Sequence, residues 1–217
     1  MKTIALADAR GAGTAIADLA ATLTAGGVVC VPLRGTYRLL APVRAEAAIA
    51  RVLQGKRRTD NRPSLVLVPS LAAAAEVVDG TAWPTTTRLA RAFWPGPLTM
   101  VLPPSDALPS KLRKTLSRAN GGIGVRQSHD ALIGQIVAAT GTPLLATSAN
   151  LAAKPGATSA AAIRQRLGAS IDVWVDGGDT APAEPSTVIA VTASGWTLVR
   201  GGVIAEPELA KVVAPGP

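Results

Sequence analysis

Apolar positions along this chain switch repeatedly between helical and strand spacing. In Ala15–Leu23, the residues Ile16, Leu19, Ala20 and Leu23 fall on one helical face, and Gly26-Gly27 ends the segment as a glycine C-cap would. Val28–Pro32 is a short apolar run that predicts a buried strand, and its exit, Leu33–Leu40, reads as a loop carrying Arg34, Tyr37 and Arg38. Glu46–Leu53 predicts a helix with Ile49, Val52 and Leu53 on one side, followed after a basic connection by a β-branched strand at Ser64–Val68. Further helices are predicted at Leu71–Val78, Thr87–Phe93, Ala107–Leu116, Ala131–Ala139 and Ala160–Leu167, the last with Thr158 as its N-cap. Strands are predicted at Leu98–Leu102, Gly122–Arg126, Pro143–Ala146, Ile171–Val175, Thr187–Val191 and Thr197–Arg200. The last two join through Ala193-Ser194-Gly195 as a hairpin, and Trp94-Pro95-Gly96-Pro97 forms a rigid corner. Strands alternating with helices and closing on a hairpin imply an α/β fold: a twisted, open, mixed parallel and antiparallel sheet flanked by helices.

Composition narrows the class. A length of 217 residues fits one domain across 1–217. No apolar run approaches the roughly 20 residues of a membrane span, and no charged n-region precedes an apolar h-region, so a cytoplasmic location without membrane contact is expected. The single cysteine, Cys30, sits in an apolar strand as a core residue, and a single histidine, His129, makes a His-based metal site improbable. The chain carries 22 Lys and Arg against 14 Asp and Glu, a net charge of +8, which suits a polyanionic partner such as nucleotides or RNA. Low aromatic content, 3%, argues against a base-stacking surface. Lys111, Arg113, Lys114 and Arg118 form a basic helix face, either a nucleic-acid contact or a solvated surface.

Two stretches carry candidate chemistry. Pro143–Asn150 runs from a buried strand into Thr147-Ser148-Ala149-Asn150, at the strand end where open α/β sheets bind ligands. Ser148 and Asn150 offer a hydroxyl and an amide that fit phosphate oxygens or a base edge, although a capped turn leads to the same pattern. Lys56, Arg57, Arg58 and Arg62 crowd a loop between Gly55 and Pro63, a cluster that repels itself unless an anion relieves it, or else a solvated connection. Lys56-x-Arg58 with Ser148-x-Asn150 combines point and forked cations with neutral donors, a set suited to polyphosphate. Arg126 closes a predicted strand on the same ligand side. No Walker loop or Gly-x-Gly-x-x-Gly fingerprint is present.

On these residues the chain resembles the YrdC-like family of threonylcarbamoyl-AMP synthases. The family's Lys-x-Arg and Ser-x-Asn correspond to Lys56, Arg58, Ser148 and Asn150, and its Phe-Trp-Pro-Gly-Pro-Leu-Thr segment matches Phe93–Thr99 without change. Ile123–Arg126, Ser186–Val188 and Arg200–Ile204 resemble its Val-Gly-Val-Arg, Ser-Thr-Val and Arg-x-Gly-x-Ile segments. The resemblance implies a single YrdC-like domain, without the extra C-terminal domain of longer members, and a concave basic cavity that binds ATP. It implies an L-threonylcarbamoyladenylate synthase-like nucleotidyltransferase that joins threonine, bicarbonate and ATP for threonylcarbamoyladenosine modification of tRNA. Lys56, Arg58, Ser148 and Asn150 are then the catalytic set, with Arg34, Tyr37, Arg126, Thr147, Ser186 and Arg200 on nucleotide or substrate. Mg2+ is expected through the ATP phosphates, with no metal ligand from the protein. Expected partners are ATP, threonine or a related small molecule, tRNA or double-stranded RNA, and tRNA-modification proteins, with the chain a monomer or homodimer.

The match breaks at the first strand's exit. Where the family carries Pro-Thr-(Asp/Glu)-Thr-(Val/Ala)-Tyr-Gly-Leu, this chain reads Pro32-Leu33-Arg34-Gly35-Thr36-Tyr37-Arg38-Leu39. Two hydroxyls are replaced, by Leu33 and Gly35, while an acid has become Arg34 and a glycine Arg38. The family's Val-Arg-x-Pro also reads Val125-Arg126-Gln127-Ser128. The phosphate half is therefore intact and the acceptor half rewritten. That leaves two alternatives to the synthase: a paralogue adenylating a different carbamate or carbamoyl phosphate, and an RNA-binding member without synthase activity.

Overall fold

A computed structural model of the chain describes residues 1–11, 13–33, 35–55, 64–117, 121–149 and 159–216. The elements run β1 (Lys2–Ala5), α1 (Leu6–Gly11), α2 (Gly13–Thr24), β2 (Val29–Leu33), β3 (Thr36–Pro42) and α3 (Glu46–Gly55). They continue β4 (Leu65–Leu67), α4 (Leu71–Ala74), α5 (Trp83–Phe93), β5 (Leu98–Leu102), α6 (Ser110–Ser117) and β6 (Ile123–Arg126). After these come α7 (Ala131–Thr140), β7 (Leu144–Ser148), α8 (Ala160–Leu167), β8 (Val173–Asp176), β9 (Thr187–Thr192), β10 (Gly195–Arg200) and α9 (Glu206–Val212). The chain divides into two compact units, Met1–Asp60 with Asp130–Ala183, and Asn61–His129 with Glu184–Pro217.

In the first unit the strands lie in the order β1-β8-β2-β3-β7. The β1/β8 and β8/β2 pairs are parallel, and the β2/β3 and β3/β7 pairs antiparallel. Val28–Val31 is fully buried, as an uninterrupted apolar run in an inner strand requires, and burial pushes the Cys30 thiol far above its usual range. Helix α2 packs on α7 and against β2 and β3, turning Ala15, Leu19, Ala20 and Leu23 inward. Helix α7 has clear ends: Asp130 Oδ1 accepts the Ile133 N–H at 3.0 Å, and Gly141 (φ 71°) donates its N–H to Val137 O at 3.0 Å.

In the second unit the order is β4-β6-β5-β9-β10. The β4/β6 and β5/β9 pairs are parallel, and the β5/β6 and β9/β10 pairs antiparallel. All of β5 is buried, whereas β9 alternates, with Thr187, Ile189 and Val191 inward. The C-terminal helix α9 packs on α5, and Trp196 Nε1 donates to Val213 O at 2.8 Å.

Several expectations change. Leu33–Leu40 is not a loop: Leu33 ends β2 and residues 36–40 belong to β3, the return strand of the β2/β3 hairpin, because Tyr37, Leu39 and Leu40 are fully buried and the ladder satisfies their backbone groups. Gly35 makes the turn at φ 81°. Helix Leu71–Val78 shortens to Leu71–Ala74, after which the N–H groups of Ala75, Glu76 and Val77 bond carbonyls three residues back. Helix α5 begins earlier, at Trp83, with Pro84 in its first turn, where a missing N–H costs nothing. Helix α6 begins later than Ala107, at Ser110. Thr158 lies outside the described residues, and the cap of α8 is Ser159, whose Oγ accepts the Ala162 N–H at 3.4 Å. β1 and α9 carry too little periodicity to have been foreseen.

Candidate functional site

In the first unit, β7 carries Leu144–Ala146 buried in the sheet, then Thr147, also buried, and Ser148, half exposed at the strand end. Its partner is β3, with Leu39 opposite Thr147 and Arg38 opposite Ser148. One residue further, Ala149 N–H donates to Tyr37 O at 2.7 Å, so the ladder outlasts the strand. Lys56, Arg58, Asn150 and Arg34 lie outside the described residues.

Tyr37 is fully buried beneath this strand end. Its ring stacks on Trp174 with centroids 4.4 Å apart and planes at 16°. Its hydroxyl donates to Gly178 O at 2.8 Å and accepts from Gly177 N–H at 3.0 Å. Burial raises the phenol above its ordinary value, Asp176, Cys30 and Asp179 add to that, and the Gly177 N–H works against them. The hydroxyl is thus committed to the 176–179 loop. That loop in turn holds α8: Asp179 Oδ1 accepts Ala160 N–H at 2.9 Å, and Arg164 meets Asp176 at 3.5 Å while lying 5.8 Å from the Trp174 ring. A Cβ on Gly35 would stand 3.1 Å from Ala183 N, so this position lies tight against that backbone.

In the second unit, Arg126 ends β6 and is only 5% exposed. The backbone around it is pinned: Val68 N–H donates to Arg126 O at 3.0 Å and Gly96 N–H to Gln127 O at 3.1 Å. Gln127 Nε2 adds a bond to Pro69 O at 3.1 Å. The Trp94-Pro95 bond is cis, and Trp94 Nε1 donates to Leu98 O at 2.8 Å. Gly96 admits no side chain, because a Cβ would fall 2.0 Å from Phe93 O. The Trp-Pro-Gly-Pro corner therefore braces the strand end that presents Arg126.

Ser186 and Arg200 are brought together. Arg200 Nη2 donates to Ser186 O at 2.7 Å and Ser186 Oγ at 3.2 Å. Behind them, fully buried Thr187 donates through Oγ1 to Ile204 O at 2.8 Å and accepts Ile204 N–H at 2.9 Å. Val203 N–H reaches Pro185 O at 3.1 Å, and a Cβ on Gly202 would lie 2.3 Å from that same oxygen. Thr187, Gly202, Trp174 and Gln127 are supports that sequence reasoning passed over. The Ser-Thr-Val and Arg-x-Gly-x-Ile patterns marked the first two. On the basic helix, Lys111 and Lys114 are exposed, Arg113 pairs with Asp106, and Arg118 lies outside the described residues. Among the described residues no group of three or more His, Cys, Asp and Glu side chains could hold a metal ion, and no helix is long and apolar enough to cross a membrane.

The family model Sua5/YciO/YrdC, described as "Telomere recombination", matches residues 21–202, a span that runs through both units. The chain belongs to this family. A threonylcarbamoyl-AMP synthase of Xanthomonas euvesicatoria pv. vesicatoria is 37% identical over 169 residues, covering 77% of this chain and 88% of that protein. The synthase of Bacillus subtilis is 30% identical over 201 residues, 92% of this chain and 57% of its own length. A doubly substituted Sua5 from P. abyssi superposes with a TM-score of 0.82 at 28% identity, over 99% of this chain and 64% of that one. The same protein complexed with L-threonine gives 0.78 at 28% identity, over 94% and 58%. E. coli YciO gives 0.72 at 25% identity, over 89% and 92%. The chain thus spans about six-tenths of the Sua5 chains, 64% and 58%, and most of the shorter Xanthomonas relative, 88%.

Proposed function

We propose that this chain is a threonylcarbamoyl-AMP synthase. The observation that carries the reading is the 37% identity to a curated synthase across 88% of that protein's length. The threonine amine adds to bicarbonate-derived CO2 to give a carbamate. A carbamate oxygen then attacks the α-phosphorus of ATP, the bond to the bridging oxygen breaks, and pyrophosphate leaves with the electron pair. The product carries the threonylcarbamoyl group on AMP, ready for transfer to tRNA by partner proteins in the cytoplasm. No protein nucleophile is needed, so the residues position the reactants and stabilise charge at phosphorus.

In this reading Lys56 and Arg58 hold phosphates, and Ser148 and Asn150 orient them beside Thr147. Arg126 and Arg200 serve the substrates, with Ser186 near threonine, and Arg34 joins them as a nucleotide- or substrate-binding residue. Tyr37 acts through the 176–179 loop that its hydroxyl holds. Mg2+ in this reading enters with the ATP phosphates it accompanies.

Incubation with ATP, bicarbonate and threonine should release pyrophosphate in a threonine-dependent manner, and Ser148→Ala and Lys56→Ala should abolish it. Release no greater than in the Lys56→Ala protein would overturn the assignment. The replacement of the family's loop hydroxyls by Leu33 and Gly35 supports a second reading, in which another carbamate or carbamoyl phosphate is adenylated. Pyrophosphate release screened across amino acids and carbamoyl phosphate separates the two: strict dependence on threonine removes the second.

A further inference from the structure

Arg38 stands where the family's segment carries glycine, and the structure gives it a definite neighbour. In the β3/β7 ladder it lies directly opposite Ser148, with Val31 of β2 on its other side. The pleat cannot turn it elsewhere. Tyr37 is held on the opposite face by the Trp174 stack and by the Gly177 and Gly178 bonds, and successive strand residues alternate faces. A one-residue slip would expel the Tyr37 ring, and the Ala149 N–H bond to Tyr37 O keeps the register closed past Ser148. Directly opposed Cβ atoms sit about 4.5–5.5 Å apart, a gap that an arginine stem spans easily. Any ligand oxygen held by the Ser148 hydroxyl is therefore within reach of the Arg38 guanidinium. Arg38 is half-buried and its Nε is out of solvent, and a partly desolvated guanidinium binds anions more strongly than an exposed one.

We propose that Arg38 is a nucleotide-binding residue of this chain, its guanidinium sharing with Ser148 a phosphate oxygen of ATP. The inference rests on the synthase reading only for the identity of the ligand. It places the cation gained by the rewritten segment on the phosphate side, although the hydroxyls lost at Leu33 and Gly35 belonged to the acceptor side. Arg38→Gly and Arg38→Gln should then weaken ATP without changing the KM for threonine.

Calorimetric titration of the full chain with ATP and with inorganic tripolyphosphate tests this, using wild type, Arg38→Gly, Arg38→Gln and Arg38→Lys, each checked by circular dichroism. Both neutral variants should bind both probes about 10- to 100-fold more weakly, with Arg38→Lys between, and with a shallower salt dependence. Arg38→Gln binding both probes as wild type does would overturn the proposal. So would wild-type protein with no measurable affinity for either probe. The synthase reading is judged separately: Arg38-dependent ATP binding without threonine-dependent pyrophosphate release sinks that reading and supports this one.

Discussion

Thr187 offers a sharp test of how the hydrogen-bonded pair Ser186 and Arg200 is supported. Its hydroxyl both donates to Ile204 O (2.8 Å) and accepts from Ile204 N–H (2.9 Å), and the residue is 0% exposed. Thr187→Val keeps the shape and removes only the hydroxyl. Ile204 is itself buried, so both its backbone groups lose their partner without gaining water. A buried polar group left unsatisfied costs about 1–3 kcal/mol, so the substitution should cost about 2–4 kcal/mol, with partial relaxation allowed for. For a chain of this size that is a fall in Tm of roughly 5–15 °C. Thr187→Ser is the control: it keeps both bonds and loses one methyl, about 0.5–1.5 kcal/mol. Urea unfolding followed by tryptophan fluorescence reads the difference well, because Trp196 sits on the adjoining strand. Equal stabilities for the valine and serine variants would refute the assignment of the Ile204 clamp to the hydroxyl. If the clamp also sets Arg200, the valine variant loses activity beyond its loss of folded protein.

Tyr37→Phe should keep the Trp174 stack and release the 176–179 loop, costing about 1–2 kcal/mol, because the exposed glycines recover part of the loss from water. Hydrogen exchange at Gly177 and Gly178 reads this directly, and unchanged protection would count against the strut. Burial pushes the Asp172 carboxyl up, but hydrogen bonds from Arg51 and Val28 N–H and the Arg51 charge outweigh it, so its pKa is lowered. A depressed folded-state pKa contributes stability that is fully present above the unfolded value, about 3.9, and lost as pH falls through the folded one. Asp172→Asn should therefore show a shallower acid loss below about pH 4 in urea midpoints, and an identical acid slope would refute the role. Cys30, buried and with its thiol pushed far up, should resist alkylation in the native protein and react only on unfolding, as thiol labelling with mass detection would reveal.

Sequence alone determined the class of fold and the family. Period-2 and helical spacings located most strands and helices, since burial of one face dictates both patterns. It could not decide the state of Leu33–Leu40, whose glycine and arginines look like loop chemistry. Only pairing with β2 and β7 makes residues 36–40 an inner strand, because its β7 partners lie far away in the chain. Nor could it separate a residue that touches ligand from one that supports it. The bonds of the Tyr37 hydroxyl to the 176–179 loop and the Ile204 clamp on Thr187 are tertiary contacts that no local spacing announces. Arg38 shows the same division: its charge is plain in the sequence, but its place opposite Ser148 is a matter of register, which tertiary packing around Tyr37 and Trp174 settles.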